Sequence, residues 1–355
     1  MKIAVRVDGS VRLGMGNVYR SLALAEELRR RGQDVIFIMK CFDGSFDPIR
    51  NKGFPVFLIN AGALNGMLNS QVSHVIRSQG VSLLINDIKD TEVDYMAALK
   101  RYGLTMVNFD DLGPGRHAAD YLFDAFNLCS PESSVPGRNF GPEFVILRKE
   151  FLRQGTDRAE VAPIVSGITV MMGAANTGGL LDTVIRALSF LPETIHHHII
   201  LGNAVHDPEV IQMNHPGKNF TYHYQPENIA RIFASSDLAI TSGGMSMCEA
   251  CALGVPTLVL PQVPHEMQNA RRFRDRGAVV LLDPSRGAGE KRIANTIREL
   301  VSNRERRKTL SDNARKMVDG RGLQRIVECL APHWEGAFRP PTSPNVFRRP
   351  NPSAP

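Results

Sequence analysis

Short apolar runs recur along the chain at intervals wide enough for a helix to cross between them, and this spacing is the strongest constraint on its fold. Ile3 to Val7, Val35 to Met39, Val56 to Ile59, Val81 to Ile85 and Leu104 to Phe109 form one series. A second runs through Ile168 to Met172, His196 to Leu201, Phe220 to Tyr222, Asp237 to Thr241, Thr257 to Leu260 and Val279 to Leu282. Apolar strands joined by crossover connections assemble as parallel sheets covered on both faces. Periodicity predicts helices over Tyr19–Arg31, stopped by Gly32, over Leu180–Phe190, over Pro226–Ser235 beginning at its proline, and over Glu290–Val301 and Asn303–Met317. The fold class is therefore α/β, with two similar domains meeting at a cleft, predicted at 1–155 and 156–325 and followed by a Pro-rich extension at 326–355. The junction is placed near Phe151 to Pro163, where Gly155, Asp157 and Pro163 break the pattern. Between Asp111 and Phe151 the pattern is irregular, and Ser130 to Pro142 reads as a surface loop.

At 355 residues the chain is long enough for two such domains, and its 43% apolar content is that of an ordinary soluble protein. Forty-two Lys and Arg against thirty-six Asp and Glu leave +6, part of it in a tail carrying Arg339, Arg348 and Arg349. No compact basic block stands beside aromatic residues, which argues against nucleic acid as a partner. No apolar run approaches the ~20 residues that span a bilayer, so no transmembrane segment is expected, and peripheral membrane contact and oligomeric state stay open. The first strand begins at once, without a secretory leader, and a cytoplasmic, reducing location is expected. The five cysteines are irregularly spaced. Cys248 and Cys251 have zinc-like separation but lie in an apolar helical stretch, and His196-His197-His198 enters a strand in which alternate side chains face opposite ways. Neither is read as a metal site.

Chemistry concentrates at glycines. In LAITSGGMSMCEACALGVP, Leu238 to Pro256, a strand runs into Gly243-Gly244, then into a helix-like segment, then through Gly254-x-Pro256 into the next strand. Such a unit opens a helix N-terminus at the carboxyl end of a sheet, where free amides and the helix dipole can hold a diphosphate. Gly243, Gly244, Met245 and Ser246 are the candidate phosphate contacts, and Glu249, one turn on, is placed to accept from ribose hydroxyls. After the following strand, Gln268 and Asn269 offer donors and acceptors to a sugar. In the first domain Gly14 and Gly16 form a ligand-facing loop without the spacing of a dinucleotide fingerprint. Asn17 reads either as an N-cap or as a sugar contact, and Arg20 as a phosphate partner or a solvated charge. Asp8, Asp87, Asp110 and Asp111 each follow a strand, and each is a candidate base for an incoming hydroxyl.

With Arg6-x-Asp8-Gly9-Ser10, Gly14-x-Gly16-x-x-x-Arg20, Phe109-Asp110-Asp111-Leu112, Gly141-Pro142-x-x-x-x-Leu147-Arg148 and Gly243-Gly244-x-Ser246-x-x-Glu249, the chain resembles the GT-B superfamily over roughly residues 1 to 325. Within it, the resemblance is to the group holding the UDP-sugar hydrolase of pseudaminic acid biosynthesis and spore-coat polysaccharide proteins, and more distantly MurG. That resemblance implies two Rossmann-like domains with parallel sheets facing across a cleft. It implies donor phosphates on Gly243 to Ser246, ribose on Glu249, and sugar or nucleotide on Gln268 and Asn269. The expected partners are a nucleotide sugar, UDP-linked, and a hydroxyl-bearing acceptor, with no cofactor required. In the hydrolase a histidine follows the second glycine of the first loop; here Asn17 stands there, and an amide cannot accept a proton at neutral pH. Metal-independent, inverting glycosyl transfer is therefore the leading expectation, with hydrolysis or nucleotide-sugar binding without turnover as alternatives.

Overall fold

The structure is a computed structural model and describes residues 1–10, 15–42, 45–62, 65–127, 136–154, 160–173, 179–202, 208–217, 219–287 and 289–334. Gly14, Cys129, Ser130 to Val135, Gly155, Asp157 and the Pro-rich tail lie outside the described residues.

The first lobe is built on a sheet of seven parallel strands. They are β1 (Lys2–Val7), β2 (Asp34–Lys40), β3 (Val56–Ile59), β4 (Leu83–Asp87), β5 (Thr105–Phe109), β6 (Tyr121–Asp124) and β7 (Arg138–Phe140), in the spatial order β3-β2-β1-β4-β5-β6-β7. The second lobe carries six parallel strands. These are β8 (Gly167–Met171), β9 (His196–Leu201), β10 (Phe220–Tyr224), β11 (Leu238–Thr241), β12 (Thr257–Val259) and β13 (Val280–Leu281), ordered β10-β9-β8-β11-β12-β13. The central strands are apolar runs because helices cover both faces. Ile3, Val5 and Val7 on one face of β1 join one cluster, while Ala4 on the other joins a second.

In each sheet the strand order reverses beside the first strand of the lobe, between β1 and β4 and between β8 and β11. Crossovers leave in opposite directions at such a point, so a crevice opens beyond the carboxyl ends of the strands. Two strands, β6 and β7, fill the region that reads as irregular in sequence; they are four and three residues long, too short to display a period.

The chain does not leave the first lobe at its junction for good. Helix Gly322–Leu330 returns to it, with Leu323, Ile326, Val327 and Leu330 buried in the same cluster as Ile3 and Val5. The sequence boundary at 325/326 falls inside this helix. Helix Ile229–Ala234 starts later than its proline suggests, because the Asn228 side chain accepts from Arg231 N at 2.9 Å and caps it. A third cluster is shared between the lobes, joining Ala125, Val145, Leu147 and Phe151 to Phe233, Met247, Cys251 and Phe273. Cys248 and Cys251 are free thiols packed in that interior, and His197 is buried between two half-buried histidines.

Candidate active site

Helix Gly16–Arg30 begins beyond β1 and helix Met245–Ala252 begins beyond β11, so each starts at its lobe's switch point. The two starts meet: a Cβ on Gly16 would lie 3.6 Å from Met245 Cγ. Neither helix has a side-chain hydrogen bond at its N-cap, Met15 in one and Gly244 in the other. Two sets of amides and two positive dipole ends are thus left facing one space, an arrangement that favours an anion. Asn17 is the second helical residue, not the cap, and its Nδ2 approaches the Asp87 carbonyl at 3.5 Å.

The glycine pair is held from behind by helix Pro264–Asp275. Its first turn lies directly on Gly243, where a Cβ would be driven into the Glu266 carbonyl group, whose carbon would be 2.8 Å away. Asn269 Nδ2 donates to the Gly243 carbonyl at 3.3 Å, and Glu266 Oε2 accepts from Gln262 N at 2.8 Å. Gln262 Nε2 in turn donates to the Met172 carbonyl at the end of β8. Ser246 is buried, Met245 half-buried and Gln268 exposed. Glu249 is buried and already engaged: Arg148 Nε and Nη2 donate to its two oxygens at 2.7 and 2.8 Å. Burial opposes the charge on Arg148, but the Glu249 carboxylate more than offsets it and raises the guanidinium pKa. Arg148 enters the sequence reading only as part of the Gly141 to Arg148 motif, with no role, because nothing local ties it to a residue a hundred positions on.

The acids of the first lobe separate once their partners are known. Asp111 is fully buried and accepts from Thr91 N at 3.0 Å, Asn108 Nδ2 at 2.7 Å, Gly113 N at 2.9 Å and Thr91 Oγ1. Asp87 is also buried and accepts from Arg20 Nε at 3.1 Å, from Ser21 Oγ at 2.7 Å and from Arg20 Nη2. Asp111 braces loops and Asp87 pins the first helix, so both are buried and engaged, against the expectation that either could serve as base. Asp8 takes a two-pronged bond from Arg6 at 2.6 and 2.7 Å and a third from Lys40 N at 2.8 Å, with part of its carboxylate still accessible. Asp110 sits at φ 45°, accepts from Ala125 N at 2.8 Å and from Arg20 Nη1, and keeps an accessible edge. Arg20 is no solvated charge. Burial works against its ionisation, but Asp87 and Asp110 overcome that and raise its pKa.

Asp124, at the end of β6 beside Asp110, is the acid that sequence reasoning missed; its strand is too short to announce it. Burial, then the Asp110 charge, push its pKa up to about 6, against the opposing pull of Arg116 and Arg272. A folded-state pKa above the unfolded value means that the native protein holds its proton more tightly. This group therefore lowers stability as pH rises from about 4 through about 6. Asp124→Asn is expected to flatten that part of a urea-denaturation profile and to match or exceed the parent above pH 6; an unchanged slope would remove the assignment. Among the described residues, no three or more His, Cys, Asp or Glu are grouped so as to hold a metal ion, and no helix is long and apolar enough to cross a membrane.

Among the described residues, two polar contacts besides Arg148–Glu249 tie the lobes across this site. Lys89 Nζ lies 3.1 Å from His265 Nε2, and Arg272 Nη1 donates to the Phe126 carbonyl.

Comparison with known proteins agrees with this architecture. Residues 167–326 match the glycosyltransferase family 28 C-terminal domain. The chain is 26% identical over 279 residues to an uncharacterised protein of Methanocaldococcus jannaschii, covering 74% of this chain and only 56% of that longer relative. It is 24% identical over 344 residues to the spore coat polysaccharide biosynthesis protein SpsG of Bacillus subtilis, covering 94% and 99% of the two chains. Identity to the UDP-2,4-diacetamido-2,4,6-trideoxy-beta-L-altropyranose hydrolase of Campylobacter jejuni is 25% over 288 residues, 78% of this chain and 97% of that one. Among solved structures, MurG of Acinetobacter baumannii superposes with a TM-score of 0.68 at 17% identity, over 93% and 99% of the two chains. With a parallel sheet in each of two lobes, the chain has the GT-B fold of solved glycosyltransferases such as MurG, and residues 167–326 of its second lobe match the family 28 C-terminal domain.

Proposed function

We propose that the protein is a glycosyltransferase that moves a sugar from a nucleoside diphosphate, UDP in the first instance, to a hydroxyl-bearing acceptor. The observation that carries this reading is the meeting of two uncapped helix starts, Gly16 and Met245, at the switch points of facing sheets. In this reading the diphosphate rests on the amides of Gly244, Met245 and Ser246, and the ribose meets the Arg148–Glu249 pair, whose carboxylate oxygens each retain a lone pair. Gln268 and Asn269 border the donor, and Gly16 and Asn17 the acceptor side. The dipoles and amides are fixed before the reaction and need no reorganisation as charge develops on the leaving group, so no metal cofactor is required.

The acceptor hydroxyl approaches from the first lobe. A single displacement at the anomeric carbon breaks the bond to the diphosphate and inverts configuration. Asp8 and Asp110 keep an accessible edge and are the candidate general bases, whereas Asp124 is buried beside Asp110 and paired with Arg116 at 3.6 Å.

A second reading is supported by the length of the Campylobacter hydrolase that the chain matches: water would take the acceptor's place. A panel of UDP-sugars, incubated with and without hydroxyl acceptors, separates the two. Transfer is expected to yield glycoside only when acceptor is present, and Asp8→Asn or Asp110→Asn to cut that rate by at least tenfold. Free sugar and UDP at the same rate without acceptor would favour hydrolysis. UDP retention without turnover would leave a binding protein, and no uptake of any nucleotide would end the proposal.

A further inference from the structure

We propose that Lys89 and His265 form an anion clamp, one residue from each lobe, that engages the terminal phosphate of the nucleoside diphosphate and neutralises it as it leaves. The inference rests on the diphosphate reading above and adds to it a contribution from the first lobe.

Lys89 follows β4 at the switch point, and His265 stands in the first turn of the helix that lies on Gly243. Their contact, Nζ to Nε2 at 3.1 Å, joins a cation to a base. Among the described residues Lys89 has no carboxylate within ion-pair distance. The charges around it are Arg20, Asp90 and Asp110 on its own lobe and Glu266 beside His265. Burial, and then Arg20, lower the Lys89 pKa, and burial, and then Lys89, lower that of His265. Lys89 is thus an exposed cation without a bonded counter-charge, resting on a half-buried imidazole, and the helix turn that carries His265 packs its Glu266 backbone on Gly243, one of the glycines that would hold the diphosphate.

When the bond between the anomeric carbon and the phosphate oxygen breaks, its electron pair stays on that oxygen. The helix start presents only about half a unit charge. An ammonium group donating to the same oxygen supplies a whole one, in a space where water is displaced. The acceptor's proton goes to the first-lobe carboxylate, so Lys89 keeps its own. In the ligand-free protein His265 Nε2 accepts from Lys89; with phosphate in place Lys89 turns its donor to the anion, and His265 gains a reason to protonate. Diphosphate binding should therefore take up protons.

Calorimetry of the full chain with UDP and with UMP tests this. Lys89→Gln is expected to weaken UDP binding at least tenfold while leaving UMP within about twofold, and Lys89→Arg to retain most of the UDP affinity. For the parent, heats in two buffers of different ionisation enthalpy should report proton uptake with UDP, lost in His265→Gln. Equal losses for UDP and UMP in Lys89→Gln, or no loss for either, would overturn the clamp while leaving the diphosphate site standing. A parent protein that binds neither nucleotide would overturn the underlying reading instead.

Discussion

Replacing Arg20 with methionine is expected to destabilise the protein by about 3–5 kcal/mol, measured by urea unfolding at neutral pH. The side chain is nearly sealed from solvent and donates to Asp87 through two nitrogens and to Asp110 through the third. Methionine would keep much of the packing volume. It would leave two carboxylates from adjacent strands facing each other, with Asp87 buried, and the size of the effect comes from that stranded charge more than from the lost attraction. Pairing the change with Asp87→Asn removes half of the stranded charge and should recover part of the loss. A single-variant cost below about 1 kcal/mol would mean that this triad is worth no more than an exposed ion pair.

The second large effect is expected at Gly243, where alanine should cost about 1–3 kcal/mol through overpacking and reduce UDP affinity more than tenfold. A methyl group there meets backbone, the carbonyl of Glu266, so relief requires moving either the glycine turn or the whole first turn of helix Pro264–Asp275. Gly244 provides the control. A Cβ on it would find nothing nearer than a side-chain oxygen at 3.5 Å, so alanine should leave stability within about 0.5 kcal/mol. Equal destabilisation of the two variants would show that contact with the helix is not what demands glycine at 243.

These two sites mark the boundary between what could be read and what could not. The glycine pair was legible because a strand, two glycines and a helix in succession admit few arrangements, and the helix start must fall at the carboxyl end of β11. The glycines announce the need for close approach but not the element that approaches, Glu266, which arrives from beyond the next strand. Arg20 was visible as a residue one turn into the first helix. Its burial depends on Asp87 and Asp110, which follow strands far away in sequence, and no local pattern distinguishes a solvated arginine from one bound by two acids.

The same limit governed the acids. Asp8, Asp87, Asp110 and Asp111 share one sequence signature, a carboxylate just after an apolar run, and only their hydrogen-bond partners separate braces from groups with an accessible edge. Asp124 carries the same signature after Tyr121-Leu122-Phe123, but a strand of four residues is too short to stand out in an irregular stretch.

From sequence alone the chain was determined to be two parallel α/β lobes with a glycine-led helix start in each, because strand burial and crossover spacing are local and periodic properties. Tertiary structure decided which carboxylates are spent on holding loops and the first helix, that Glu249 is bonded to Arg148, and that Gly322–Leu330 returns to the first lobe. Each of these depends on long-range pairing, and a charge or an apolar face does not encode along the chain which distant partner will satisfy it.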